Sequence, residues 1–143
     1  MNSCVVCDAI TGAVTLPGGP LEVDEFVQVY HASSPDHASV YPGYLLVAPL
    51  RHADDFAALT PDEAASVGRA ITRWSRALRD VGATRVYVAA IGHGVAHLHV
   101  HVVPRWAETP AEVRWHEVDE WPGGRRVNLA ELEVFVESLR AVG

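Results

Sequence analysis

The run HLHVHVVPR, residues 97–105, sets three imidazoles at alternate positions and holds the densest chemistry in the chain. Successive side chains of a strand point to opposite faces, so this spacing puts His97, His99 and His101 on one face and Leu98, Val100 and Val102 on the other. The aliphatic side reads as core. Two chemistries suit the imidazole side. Neutral imidazoles two residues apart can converge on one catalytic metal ion, or one imidazole can be a nucleophile whose neighbours orient it and supply protons. A lone strand histidine is usually a satisfied core or surface residue, whereas three in alternation point to function.

A second candidate lies at the N-terminus, where Cys4 and Cys7 form a Cys-x-x-Cys pair. Two thiols make half of a tetrahedral zinc site and need two more ligands; without them the pair is simply a frayed end carrying two thiols.

The elements that must position these groups follow from punctuation and periodicity. LPGGP (16–20) and WPGG (121–124) read as turns, and with no internal repeat or linker the 143 residues predict one domain, long enough to bury its own core. LEVDEFVQVYH (21–31) predicts one or two strands, YPGYLLVAP (41–49) a buried strand, and TRVYVAAIG (84–92) another. GHG (92–94) predicts a hairpin-like turn into the histidine strand. A helix is expected over 61–80: Thr60 and Glu63 form a capping box, Pro61 sits at the first helical position, and Ala64, Val67, Ile71, Trp74 and Leu78 make the apolar stripe. A last helix should open at Asn128, with Glu131 as its capping partner, and run to about Leu139. The order of elements predicts an α+β fold, an antiparallel sheet with a long central helix and a C-terminal helix.

Composition narrows the partners. The formal charge is −7, with eleven arginines, eight histidines and no lysine, which argues against large nucleic acids and excludes lysine-based covalent chemistry. A small phosphate ester remains compatible, since histidines, backbone N–H groups and an arginine or two can bind one. No apolar run is long enough to cross a bilayer and the N-terminus lacks the features of a secretory signal, so the expected compartment is the cytoplasm.

The pattern His-φ-His-φ-His-φ-φ, here HLHVHVV, resembles the signature of the histidine-triad (HIT) superfamily of nucleotide hydrolases and transferases. The likeness extends to GHGVAHLHVHVVPR (92–105), to LLVAPLRH (45–52), which is similar to the family's strand ending in Pro-x-x-His, and to CVVCDAITG (4–12), similar to the opening of the zinc-bearing bacterial branch. The resemblance implies a HIT-like homodimer in which His99 attacks the α-phosphorus of a nucleotide and forms a nucleotidyl-histidine intermediate. His101 would then contact a non-bridging oxygen or carry a proton to the leaving group. It also implies a structural zinc ion held by Cys4, Cys7, His52 and His97, anchoring residues 1–12. The implied substrates are dinucleoside polyphosphates or nucleoside phosphoramidates.

Departures from the family pattern matter as much. His93 and Gly94 stand where many relatives carry glutamine and a hydroxyl residue, so His93 is a candidate phosphate donor or a solvated turn histidine, and a leaving-group hydroxyl is missing at Gly94. At YHASSP (30–35) His31 and Ala32 stand near where relatives place a ribose-binding acid, and DHASVYPGY (36–44) reads as an insertion. Arg105 is a candidate for a distal phosphate or for an ion pair. Residues 105–126 hold three of four tryptophans, which predicts an irregular segment packed across the sheet, near the active site or a partner's, ahead of the C-terminal helix. Two readings compete with the covalent enzyme: a metalloenzyme that uses His97, His99 and His101 together, and a non-catalytic zinc-stabilised nucleotide-binding module.

Overall fold

The computed structural model describes residues 4–34 and 38–143. Met1–Ser3 of the N-terminal stretch, and Pro35–His37 at the join of YHASSP and the insertion, lie outside the described residues. A short helix α1 (Val5–Thr11) is followed by strands β1 (Glu22–Val23), β2 (Val27–His31) and β3 (Leu45–Pro49). The long helix α2 (Pro61–Asp80) then leads to β4 (Arg85–Ala89), β5 (Val100–Arg105) and the last helix α3 (Leu129–Val142). All pairings are antiparallel, in the sheet order β1-β2-β3-β5-β4. This is the expected α+β architecture.

Strand alternation gives the sheet two unlike faces. Val27 and Val29 of β2, Leu45 and Val47 of β3, and Val100 and Val102 of β5 pack with Trp74 and Leu78 of α2 and with Leu132, Val136 and Leu139 of α3. The opposite face carries Tyr30, Leu46 and Ala48, then His101, Val103 and Arg105. There α1 packs Val6 and Ala9 on Tyr30 and Ala48.

Both predicted capping boxes are present, at Thr60/Glu63 and Asn128/Glu131, and α3 runs slightly beyond Leu139. The buried stripe of α2 differs from the expected one. Ala64 is exposed, while Glu63 and Ser66 are buried. Polar groups in adjoining segments explain this: Arg51 binds both carboxylate oxygens of Glu63 at 2.8 Å, and Ser66 donates to Asp24 at 3.1 Å.

Two further expectations are corrected. The link from β4 to β5 is a ten-residue loop (90–99), not a tight turn at GHG. The strand begins only at Val100, so His97 and His99 precede it. The facing survives, since Leu98 joins the core with Val100 and Val102. Regular pairing is lost because Leu98 N–H donates to the Ala53 carbonyl at 2.7 Å, docking the segment on the loop after β3 instead of on a strand.

Candidate functional site

Docking of residues 95–99 on that loop separates the three histidines. His97 is fully buried; its Nε2–H donates to the Pro49 carbonyl at 2.9 Å, which fixes the ring and leaves Nδ1 as the lone-pair nitrogen. Burial, with smaller contributions from His52 and His99, holds it below the ordinary imidazole range and so neutral. Nδ1 lies 3.5 Å from Cys4 Sγ and 3.3 Å from Cys7 Sγ, and His52 Nδ1 lies 3.4 Å from Cys7 Sγ. Donor atoms of Cys4, Cys7, His52 and His97 all fall within 4.8 Å of one another. Tetrahedral zinc with ordinary Zn–S and Zn–N lengths sets sulfur and nitrogen ligands about 3.5 Å apart, so the four donors fit such an ion. The far nitrogen of His52 faces Asp54 at 3.6 Å, the outer carboxylate contact that orients metal-bound histidines.

This donor set depends on α1, an element that the sequence did not predict. Cys4 is its N-cap, with Sγ accepting from the Cys7 N–H at 3.4 Å, and Gly12 ends it in the left-handed conformation. One helical turn therefore brings both thiols to the same side.

His99 and His101 form a separate pair with ring centroids 4.9 Å apart. His99 Nδ1 is 2.7 Å from the His97 carbonyl, so Nδ1–H donates there and Nε2 keeps the lone pair. His101 Nδ1 lies 2.7 Å from the Tyr44 hydroxyl. Burial and the neighbouring His99 hold His101 below the ordinary imidazole range, partly offset by the carboxylate of Asp119.

Two cavities flank this pair. On the β2–β3 side a cavity of about 190 Å³ is lined chiefly by apolar groups, among them Val6, Ala9, Leu16, Tyr30 and Leu46, with His99 in its wall. On the β4–β5 side a cavity of about 200 Å³ is lined by Tyr44, Tyr87, His101, Trp115, Asp119 and Glu120, among others. The tryptophan-rich segment thus crosses the sheet beside His101, with Trp115 set against Tyr87 at 6.2 Å between centroids.

A model of the HIT domain matches residues 28–108. The chain belongs to the HIT family. Solved structures of HIT proteins share its fold. A zinc-bound histidine triad family protein from Mycobacterium smegmatis is 22% identical, with a TM-score of 0.71 over 97% of this chain and 94% of its own. A Hit-like protein involved in cell-cycle regulation from Bartonella henselae, solved with an unknown ligand, is 18% identical, with a TM-score of 0.74 over 100% and 98%. A hypothetical histidine triad nucleotide-binding protein from Sulfolobus tokodaii is 19% identical, with a TM-score of 0.73 over 97% and 91%. No curated protein matches the chain. Membership carries a HIT-type, nucleotide-binding function in general terms. Among the described residues no helix is long and apolar enough to cross a membrane.

Other candidate residues of this HIT chain separate by position. His93 and Gly94 are exposed in the loop before the triad. Arg105 lies on the His101 face but is already engaged: its guanidinium donates to the carbonyls of Val113, at 2.8 Å, and Pro110, and to the Tyr87 hydroxyl. It anchors the tryptophan-rich segment and, among the described residues, is in no ion pair. His31 faces α3, where its ring packs edge-on against Phe135 and Nε2 accepts from the Gly43 N–H at 2.8 Å. That backbone approach requires glycine at 43, since φ is +93° and a Cβ would stand 2.7 Å from Pro104. Sequence reasoning missed Tyr44, Asp119 and Glu120. The cluster of tryptophans was the only pointer to that wall, and nothing in the spacing of Tyr44 ties it to His101.

Proposed function

We propose that the protein is a nucleotide hydrolase or nucleotidyltransferase in which His99 Nε2 attacks the α-phosphorus and forms a covalent nucleotidyl-histidine. One observation carries this reading: the only uncommitted nitrogen of His99 belongs to a ring placed between an apolar cavity and a polar one. The apolar cavity suits a nucleoside, bringing its 5′-phosphate to Nε2 with the leaving group on the His101 side. As the P–Nε2 bond forms, the bond from phosphorus to the leaving group breaks and its electron pair departs with that group. In its protonated form His101 bonds the Tyr44 hydroxyl through Nδ1 and carries a second proton on Nε2, which passes to the departing atom and leaves the imidazole neutral. Water, or another acceptor in a transferase, then discharges the P–N intermediate. His93 and the backbone at Gly94 are the proposed phosphate donors from the loop.

Zinc at Cys4, Cys7, His52 and His97 supplies a structural cross-link between α1, the loop after β3 and the triad, and the chemistry does not pass through it. Compartment and assembly belong to the same reading: a cytoplasmic homodimer acting on small nucleotides, docked through the free edge of β4, where Val88 is exposed.

The metalloenzyme alternative has little support, because His97 turns toward the thiols while His99 spends its Nδ1 on a backbone carbonyl. The binding-module alternative is separated by intact-protein mass spectrometry after incubation with nucleoside phosphoramidates and dinucleoside polyphosphates. A nucleotide-mass adduct that disappears in His99→Ala is expected; neither adduct nor turnover across the panel would overturn the enzymatic reading.

A further inference from the structure

The proposed reaction places the leaving group in the cavity beside His101, and the composition of that cavity bears on which leaving group it accepts. Tyr44, Tyr87 and Trp115 supply aromatic wall, and Asp119 and Glu120 add two carboxylates. Among the described residues neither carboxylate is in an ion pair, whereas Glu63, Glu108 and Glu137 each have an arginine. Of the nearby arginines, Arg105 binds the Val113 and Pro110 carbonyls, Arg125 binds Glu108, Arg126 binds the Asp119 backbone carbonyl and the ring face of Tyr41, and Arg114 is exposed and does not line the cavity. No lysine exists to neutralise them. His116 at the rim faces Glu117 at 3.9 Å. The negative field reaches the reacting end of the cavity, since both carboxylates help burial to push the Tyr44 hydroxyl up to about 12.

A polyphosphate leaving group would bring several negative charges against two unpaired carboxylates, an arrangement that opposes binding. An amine has the opposite fit. We propose that this cavity is a leaving-group subsite in which Asp119 and Glu120 select, among the amine leaving groups of nucleoside phosphoramidates, those that carry a positive charge at their far end. The inference rests on the proposed attack by His99. In the step, the P–Nε2 bond forms and the P–N bond to the amine breaks; the amine nitrogen keeps the electron pair and takes the His101 proton. The product amine then gains a further proton from solvent and leaves as an ammonium ion. Aromatic faces and carboxylates are the groups that stabilise such a cation.

The test compares kcat/KM for two phosphoramidates of one nucleoside, made with 1,4-diaminobutane, whose free end is an ammonium, and with β-alanine, whose free end is a carboxylate. The expected preference for the diamine is roughly tenfold. Asp119→Asn/Glu120→Gln should collapse that ratio toward one, and Glu120→Lys should invert it. A wild-type ratio near one, or a ratio that these variants do not move, would overturn the subsite. Mass spectrometry separates the two proposals: a His99 adduct formed without charge preference removes the subsite alone, whereas absence of any adduct removes the proposed reaction and the subsite with it.

Discussion

Removing the proposed zinc ion should release α1 without unfolding the rest of the protein, and the local energetics indicate how completely. The helix has seven residues, too few to hold itself in water, and ordering them costs about 7–14 kcal/mol. Its buried apolar groups are Val6 and Ala9, worth about 2–4 kcal/mol together. A structural zinc site contributes about 10–16 kcal/mol, enough to close the difference, whereas apolar contact alone is not. The main core joining the sheet to α2 and α3 includes no residue of α1. Chelation, or Cys7→Ser, should therefore abolish amide-exchange protection over residues 5–12 while the core strands keep theirs and unfolding remains cooperative. Because Val5, Val6 and Ala9 form part of the wall of the apolar cavity, nucleoside binding should weaken as well. Loss of about 1.5–3 kcal/mol of apolar contact corresponds to a KM raised tenfold or more. Exchange mass spectrometry read beside steady-state kinetics is the assay. Protection of residues 5–12 that survives zinc removal would refute the reasoning, since apolar packing would then suffice to hold the helix.

Three other perturbations address separate parts of the site. Tyr44→Phe removes the hydroxyl at His101 Nδ1 and should lower kcat about tenfold and move the pH profile, with KM for the nucleoside little changed in steady-state assays. His31 is held near 4 chiefly by burial and stays neutral in the fold, whereas the unfolded chain takes up the proton near 6.5. Stability should thus be complete above pH 6.5 and fall by about 3 kcal/mol as pH drops toward 4, which urea titrations would measure and His31→Gln should flatten. Arg105→Met strips the bonds that tie residues 110–113 to β5, so the fluorescence of Trp115 should become more solvent-exposed, with a stability loss of about 1–3 kcal/mol by denaturant titration.

What could be read from the sequence was set by how local each cause is. Capping boxes and the limits of α2 and α3 are fixed within four residues, and both were legible. The stripe of α2 was misjudged where its neighbours are distant: Glu63 is buried because Arg51 meets it, and Ser66 because Asp24 does. The same distinction governs the histidines. Their alternation correctly separated imidazoles from core, but alternation alone cannot say that Leu98 would bond to Ala53 in place of a strand neighbour. That one docking contact sets the rings apart, because it leaves the His97 carbonyl free to accept the hydrogen bond of His99 Nδ1–H while the His97 ring turns to the thiols. The cavity wall at Trp115, Asp119 and Glu120 lay furthest from reach. Its placement depends on Arg105 reaching across to carbonyls five and eight residues on, bonds to backbone that leave no trace in residue type at the receiving end. An arginine four residues past His101 on the same strand looks, from sequence, like a phosphate ligand; in the fold its guanidinium bonds the Val113 and Pro110 carbonyls and the Tyr87 hydroxyl, and so holds the segment that carries Trp115.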